Sequence, residues 1–116
     1  MNEKIRGLTK RESEVILKLK EEILRQIGSD VEMILFGSKA RGDVHEESDI
    51  DILVLVNGKV DYKLTRKIRH IAYDIEREYL DYEPHLQLLV RSKEWWESMK
   101  GILSLAINVE RDGIGL

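Results

Sequence analysis

The chain has 116 residues, 42% of them hydrophobic and 35% charged, with a net charge of −3 from 19 basic and 22 acidic side chains. A chain of this size builds one hydrophobic core without staples, and the absence of cysteine removes disulfides and thiolate metal sites. No apolar run is long enough for a bilayer, and the acidic balance gives no strong nucleic-acid footprint, because binding a long polynucleotide calls for a basic surplus.

A single domain over residues 1–116 is expected. Met1–Lys4 does not have the form of a secretory leader, and a cysteine-free chain suits a reducing cytoplasm, so cytoplasmic localisation and no membrane association are expected.

Thr9-Lys10-Arg11-Glu12 has the form of a capping box that opens a helix. Val15, Leu19, Ile23 and Ile27 then recur at four-residue spacing, and Gly28 supplies the stop. Val31 to Phe36 predicts a short strand that ends at Gly37. The polar stretch from Ser38 to Ser48 predicts a turn, a helical stub or a loop. Ile50 to Val56, dense in branched residues, predicts the strongest strand, closed by Asn57-Gly58.

A helix is predicted from Asp61 to about Asp81, with Leu64, Ile68, Ile71, Ala72, Ile75 and Tyr79 on one face. Its charged residues, Lys63, Arg66, Lys67, Arg69, Asp74, Glu76, Arg77 and Glu78, predict a solvated face. Pro84 introduces a third strand from about His85 to Arg91. Ser92 caps a helix through Trp95 and Trp96, and a last helix runs from about Ile102 to Val109. A helix between the second and third strands permits a right-handed crossover. The fold class expected is therefore α/β (α+β): a small mixed sheet of three to four strands flanked by helices.

The chemistry concentrates in Phe36-Gly37-Ser38-Lys39-Ala40-Arg41-Gly42 and Ser48-Asp49-Ile50-Asp51-Ile52-Leu53-Val54. Gly37 lets a ligand approach the backbone. Free amides at a helix start, with the Ser38 hydroxyl, suit phosphate oxygens. Arg41 offers a planar, permanently charged fork, and Lys39 is a second candidate cation. Asp49 and Asp51 stand two apart on a strand and so share a face. Two carboxylates side by side are costly without a cation between them, and magnesium is commonly held by one or two carboxylates plus substrate phosphates. Either half alone reads as a turn or a solvated strand edge; their conjunction on consecutive strands reads as one site.

Gly37-Ser38, ten intervening residues, then Asp49-x-Asp51 resembles the signature of the minimal nucleotidyltransferases of the polymerase-β superfamily, antitoxin type. The fuller pattern matches at Ala40, Arg41, Gly42, Ser48 and Ile52, and Glu110–Ile114 is similar to the C-terminal tail of small members. The resemblance implies the nucleotidyltransferase fold and Mg2+-dependent transfer of a nucleoside monophosphate, AMP from ATP, to an acceptor hydroxyl. Gly37 and Ser38 would hold the β- and γ-phosphates, with Arg41 and Ser48 in the same nucleotide-binding set. Asp49 and Asp51 would be the catalytic metal ligands. The resemblance also implies a HEPN-type toxin as partner, with one of its tyrosines as an acceptor. A homo-oligomer is left open.

The family's third carboxylate falls, in this alignment, on Gln87, a neutral metal ligand that accepts no proton at neutral pH. Glu83 and His85 share its parity. The alternative function is therefore a catalytically weak or inactive nucleotide-binding antitoxin, or a sensor. His85 reads equally as a partly buried histidine or a base; His45 and His70 read as solvated. Trp95 and Trp96 point about 100° apart on a helix, so one can pack in the core while the other is left at the surface.

Overall fold

The structure is a computed structural model, and it describes residues 7–42, 48–81 and 84–116. His45, Glu83 and the Met1–Lys4 segment, each singled out in the sequence, lie outside the described residues. The elements in chain order are helix α1 (Lys10–Gln26), strand β1 (Val31–Phe36), a single turn α2 (Ser38–Arg41), β2 (Ile50–Val56), α3 (Tyr62–Ile75), a wider π-helical turn (Glu76–Leu80), β3 (Leu86–Ser92), α4 (Lys93–Met99), α5 (Ser104–Asp112) and β4 (Ile114–Gly115). No helix among the described residues is long and apolar enough to cross a membrane.

The sheet order is β3-β2-β1-β4. β1 is antiparallel to both β2 and β4, while β2 and β3 run parallel through the α3 crossover. This is the mixed sheet that the sequence predicts. β4 is an addition: the tail returns along β1, with Leu35 opposite Ile114.

Period-two alternation divides the central strand. Ile50, Ile52, Val54 and Val56 are buried on the face covered by α1 and α3, whose Val15, Leu19, Ile23, Ile68, Ile71 and Ile75 complete the main core. Leu53 and Leu55 point the other way, into a smaller core with Trp96, Ala106 and Val109. Trp96 is buried while Trp95 lies at the surface under Arg91, 5.5 Å from its ring centroid, as the adjacent pair predicts.

The helix starts are set locally. The Glu12 amide donates to Thr9 Oγ1 at 3.0 Å, and the Thr9 amide donates to Glu12 Oε1 at 2.9 Å. Asp61 and Ser92 cap α3 and α4 with one bond each, their side chains accepting from the Leu64 and Trp95 amides.

Glu12 has a second task. Lys39 Nζ donates to its Oε2 at 3.1 Å and its Oε1 at 3.3 Å, and both side chains are buried. Lys39 is therefore not a phosphate-side cation, as its place in the motif suggested; it faces inward and ties α2 to the first turn of α1. Beside it the backbone of Gly7 touches the Lys39 carbonyl so closely that any Cβ at Gly7 would overlap it.

Removing one partner leaves a buried charge unpaired. Lys39→Ala is thus expected to destabilise the chain by about 3–5 kcal/mol in urea unfolding, and Lys39→Met with Glu12→Gln by clearly less. Equal losses in the two variants would show that the pair is not what holds α2.

Candidate functional site

β1 runs straight into the turn that begins the site. Gly37 has φ 76° and ψ −158°, a conformation that side chains rarely adopt. The reason lies across the sheet: a Cβ on Gly37 would collide with the carboxylate of Asp51. The glycine therefore lets the turn and the acid come together. α2 follows with no side-chain cap at its start, and Gly42, at φ 80°, closes it with its amide on the Ser38 carbonyl.

The strand register sets Phe36, Asp51 and Gln87 side by side across β1, β2 and β3. Asp49 precedes β2 on the same side, next to where the Ile50 amide donates to the His85 carbonyl at 2.9 Å. The Gln87 amide reaches both acids. With its nitrogen turned to them it donates to Asp51 Oδ1 at 3.2 Å and Asp49 Oδ2 at 3.1 Å. With its oxygen turned to them, three oxygens face one another, an arrangement that a cation between them would satisfy. The donor set of two carboxylates and one amide oxygen fits a hard divalent ion that shares its remaining positions with phosphate and water.

Burial, and then the Asp49 charge, push the Asp51 carboxyl above its usual range, while Arg41 pulls the other way. Arg41 also acts on Asp112, though the main hold on Asp112 is its hydrogen bond from Arg111. The cation of the motif thus lies within electrostatic reach of both the acid pair and the C-terminal tail. Ser38 and Ser48 are half-buried at the two ends of the connection.

Beyond Gln87 the site opens into a cleft of about 570 Å³. Asp51, Gln87 and Leu89 are among its strand residues; Arg69, Tyr73 and Glu76 line the α3 side, and Leu105 the α5 side. The sequence gives no hint of these wall residues, because helix periodicity assigns charged positions to solvent. For Glu76 that assignment is overturned. It is buried in the wider turn, and its carboxylate accepts the Leu86 amide at the start of β3. Its other oxygen lies 3.7 Å from His85 Nδ1. His85 itself is 64% exposed, so it is not the partly buried histidine that its strand position allowed. His70 is exposed on α3, as expected.

The sequence profile described as "Nucleotidyltransferase domain" matches residues 16–111. A Methanocaldococcus jannaschii protein provisionally named a protein adenylyltransferase is 40% identical over 67 residues, covering 57% of this chain and 68% of its own. Among solved structures, a toxin–antitoxin crystallised with AMP-PNP is 24% identical with a TM-score of 0.52, covering 92% of this chain and 72% of that one. A substituted form of the toxin–antitoxin MntA-HpeT is 22% identical with a TM-score of 0.51, covering 90% of this chain and 70% of that one. At these identities the two structures speak for the fold.

The Asp51 shift has a measurable consequence. The folded chain holds this proton more tightly than the unfolded chain, so ionisation of Asp51 costs stability. That cost is absent below the ordinary aspartate value of 3.8 and complete above the raised folded value. Asp51→Asn is expected to melt at a higher temperature than the parent chain at neutral pH without metal, the gap closing as pH falls toward 3.8. A variant less stable than the parent at neutral pH would show that Asp51 is a structural acid instead.

Proposed function

We propose, from the premise that the chain belongs to the nucleotidyltransferase domain family, that it transfers a nucleoside monophosphate, adenylate from ATP, to an acceptor hydroxyl. The observation that carries this reading is the convergence of the Asp49, Asp51 and Gln87 side chains beside the Gly37 backbone.

In this reading Asp49 and Asp51 would hold magnesium, with the Gln87 amide oxygen as a neutral third ligand. The chemistry such an ion would supply is countercharge for the triphosphate during in-line displacement. The amides that follow Gly37 and the hydroxyl of Ser38 grip the β- and γ-phosphate oxygens, with Ser48 beside them. Arg41 supplies countercharge from the solvent side. The acceptor oxygen bonds to the α-phosphorus as the bond from that phosphorus to the bridging oxygen breaks. Pyrophosphate leaves with the electron pair. The acceptor proton passes to solvent, because an amide cannot take it.

The relative provisionally named a protein adenylyltransferase favours a protein acceptor. The specific form proposed is a tyrosine of a HEPN-type toxin, met in the cytoplasm. The test is transfer of label from ATP carrying a labelled α-phosphate, with magnesium, to such a partner. Asp49→Asn/Asp51→Asn is expected to reduce it on the order of 10³-fold. No transfer to any hydroxyl-bearing partner by the parent chain would end the enzymatic reading.

One observation favours a second reading. Gln87 brings no charge to the acid pair, and with its nitrogen turned to them it hydrogen-bonds both acids. A contact-only antitoxin would keep neutralising its partner after the double Asp→Asn change, whereas an enzyme would not. Gln87→Asp separates the two from the other side. It restores a third carboxylate, and label transfer is expected to rise about 10²-fold; an unchanged rate would mean that position 87 takes no part in the chemistry.

A further inference from the structure

We propose that the cleft beside Gln87 is the acceptor subsite, and that it is framed to dock an acidic, amphipathic protein segment carrying the reactive hydroxyl between a cationic stripe on α3 and an apolar corner at the start of α5. The acceptor role rests on the function proposed above; the docking surface stands on its own geometry.

The direction of approach follows from the sheet order. The acid pair stands at the start of β2, with β1 and its Gly37-Ser38 turn on one side and β3 on the other. A phosphate tail gripped at that turn puts the leaving pyrophosphate on the β1 side. In-line displacement brings the nucleophile from the opposite direction, which is over β3. That is where the cleft lies, with Gln87 and Leu89 in it.

The α3 rim is a stripe. Tyr62, Arg66, Arg69 and Tyr73 follow one another at intervals of about one helical turn, so they share a face. All four are exposed, and they line a shallow groove of about 720 Å³. Arg69 and Tyr73 border both this groove and the catalytic cleft, so the one leads into the other. Arg66 and Arg69 form no ion pair among the described residues. Their neighbours do otherwise: Arg77 pairs with Asp74 at 3.5 Å, and Lys67 donates to the Gln26 carbonyl at 3.2 Å. Two unneutralised guanidinium forks one turn apart are suited to carboxylates.

The opposite rim is apolar. The corner leading into α5 exposes Ile102 at 71%, with Leu103 and Leu105 also exposed, and Leu105 reaches the cleft. Inward positions of the same helix, Ala106 and Val109, are already packed in the smaller core, so the corner is not a displaced piece of that core. Charge on one rim and hydrocarbon on the other match a polypeptide whose acidic and apolar residues lie on separate faces. An RNA strand, charged at every phosphate, would lay part of that backbone against an apolar rim that offers it no counterpart.

The experiment uses the full chain and a fluorescein-labelled synthetic peptide with a tyrosine flanked by glutamate and leucine. Its partners are the same peptide with lysine for glutamate and a short oligoribonucleotide with a free 3′-hydroxyl. By fluorescence anisotropy the acidic peptide is expected to bind the parent chain, and Arg66→Glu/Arg69→Glu to weaken it about tenfold. The lysine peptide is expected to gain affinity for that variant, a gain that an unfolded protein would not give.

The proposal is overturned if the acidic peptide does not bind the parent chain, if it binds no better than the lysine peptide, if the double variant binds it unchanged, or if the oligoribonucleotide competes it away. Calorimetry of Mg-ATP on the parent chain separates the two readings. Arginine-dependent peptide binding without Mg-ATP binding upholds the docking surface and removes its acceptor role. Mg-ATP binding with no preference for the acidic peptide removes the docking surface alone.

Discussion

The buried pair of Glu12 and Lys39 is the constraint on which the rest of the site depends. α2 is one turn long and has no side-chain cap, so nothing local would keep it helical. Its position is imposed by the first turn of α1 through a carboxylate that already closes the capping box with Thr9. A buried ion pair is often no better for stability than an apolar pair of the same volume. What this one supplies is location. It fixes the amides after Gly37 against the rest of the fold, and it draws the first cation of the motif inward, leaving Arg41 as the one on the solvent side.

From that anchored turn the site extends by strand register alone. Phe36, Asp51 and Gln87 are neighbours because β1 pairs antiparallel with β2 and β2 pairs parallel with β3. The same alternation that buries Ile50 and Ile52 under α1 and α3 turns Asp51 to the opposite face, in line with Leu53 and Leu55. The smaller core and the polar row therefore share one face of one sheet. α5 covers the apolar part, and the cleft begins beside it, with Leu105 at its edge. Site and core differ only by how far along β2 a residue stands.

What could be read from the sequence was whatever is encoded within a few residues. The capping box at Thr9, the cap at Ser92, the three main strands and the division of labour between Trp95 and Trp96 are of this kind. The conjunction of Gly37-Ser38 with Asp49 and Asp51 was legible because two short motifs carry it. What remained hidden depends on partners far away in sequence. Glu12 and Lys39 are 27 residues apart, and nothing near either predicts burial. Glu76 sits on the charged face of a helix by periodicity, but the wider turn at Glu76–Leu80 goes with a carboxylate directed at the start of β3. β4 is two residues long and carries no strand pattern of its own; it exists because β1 has a free edge.

The neutral side chain at position 87 shows how such a site can be built with less charge. Three carboxylates on three adjoining positions would repel one another, and the Asp51 carboxyl is already pushed upward by burial and by Asp49. An amide in the third place can reverse itself. With its nitrogen toward the acids it donates a hydrogen bond to each, and with its oxygen toward them it would offer a neutral ligand to a cation. The chain thereby gains an edge that tolerates the absence of a cation, with a third group that takes no proton at neutral pH. Under the transfer proposed above, such a site would depend more on how the acceptor is presented than on a resident base, and the burden of specificity would fall on the walls of the cleft over β3.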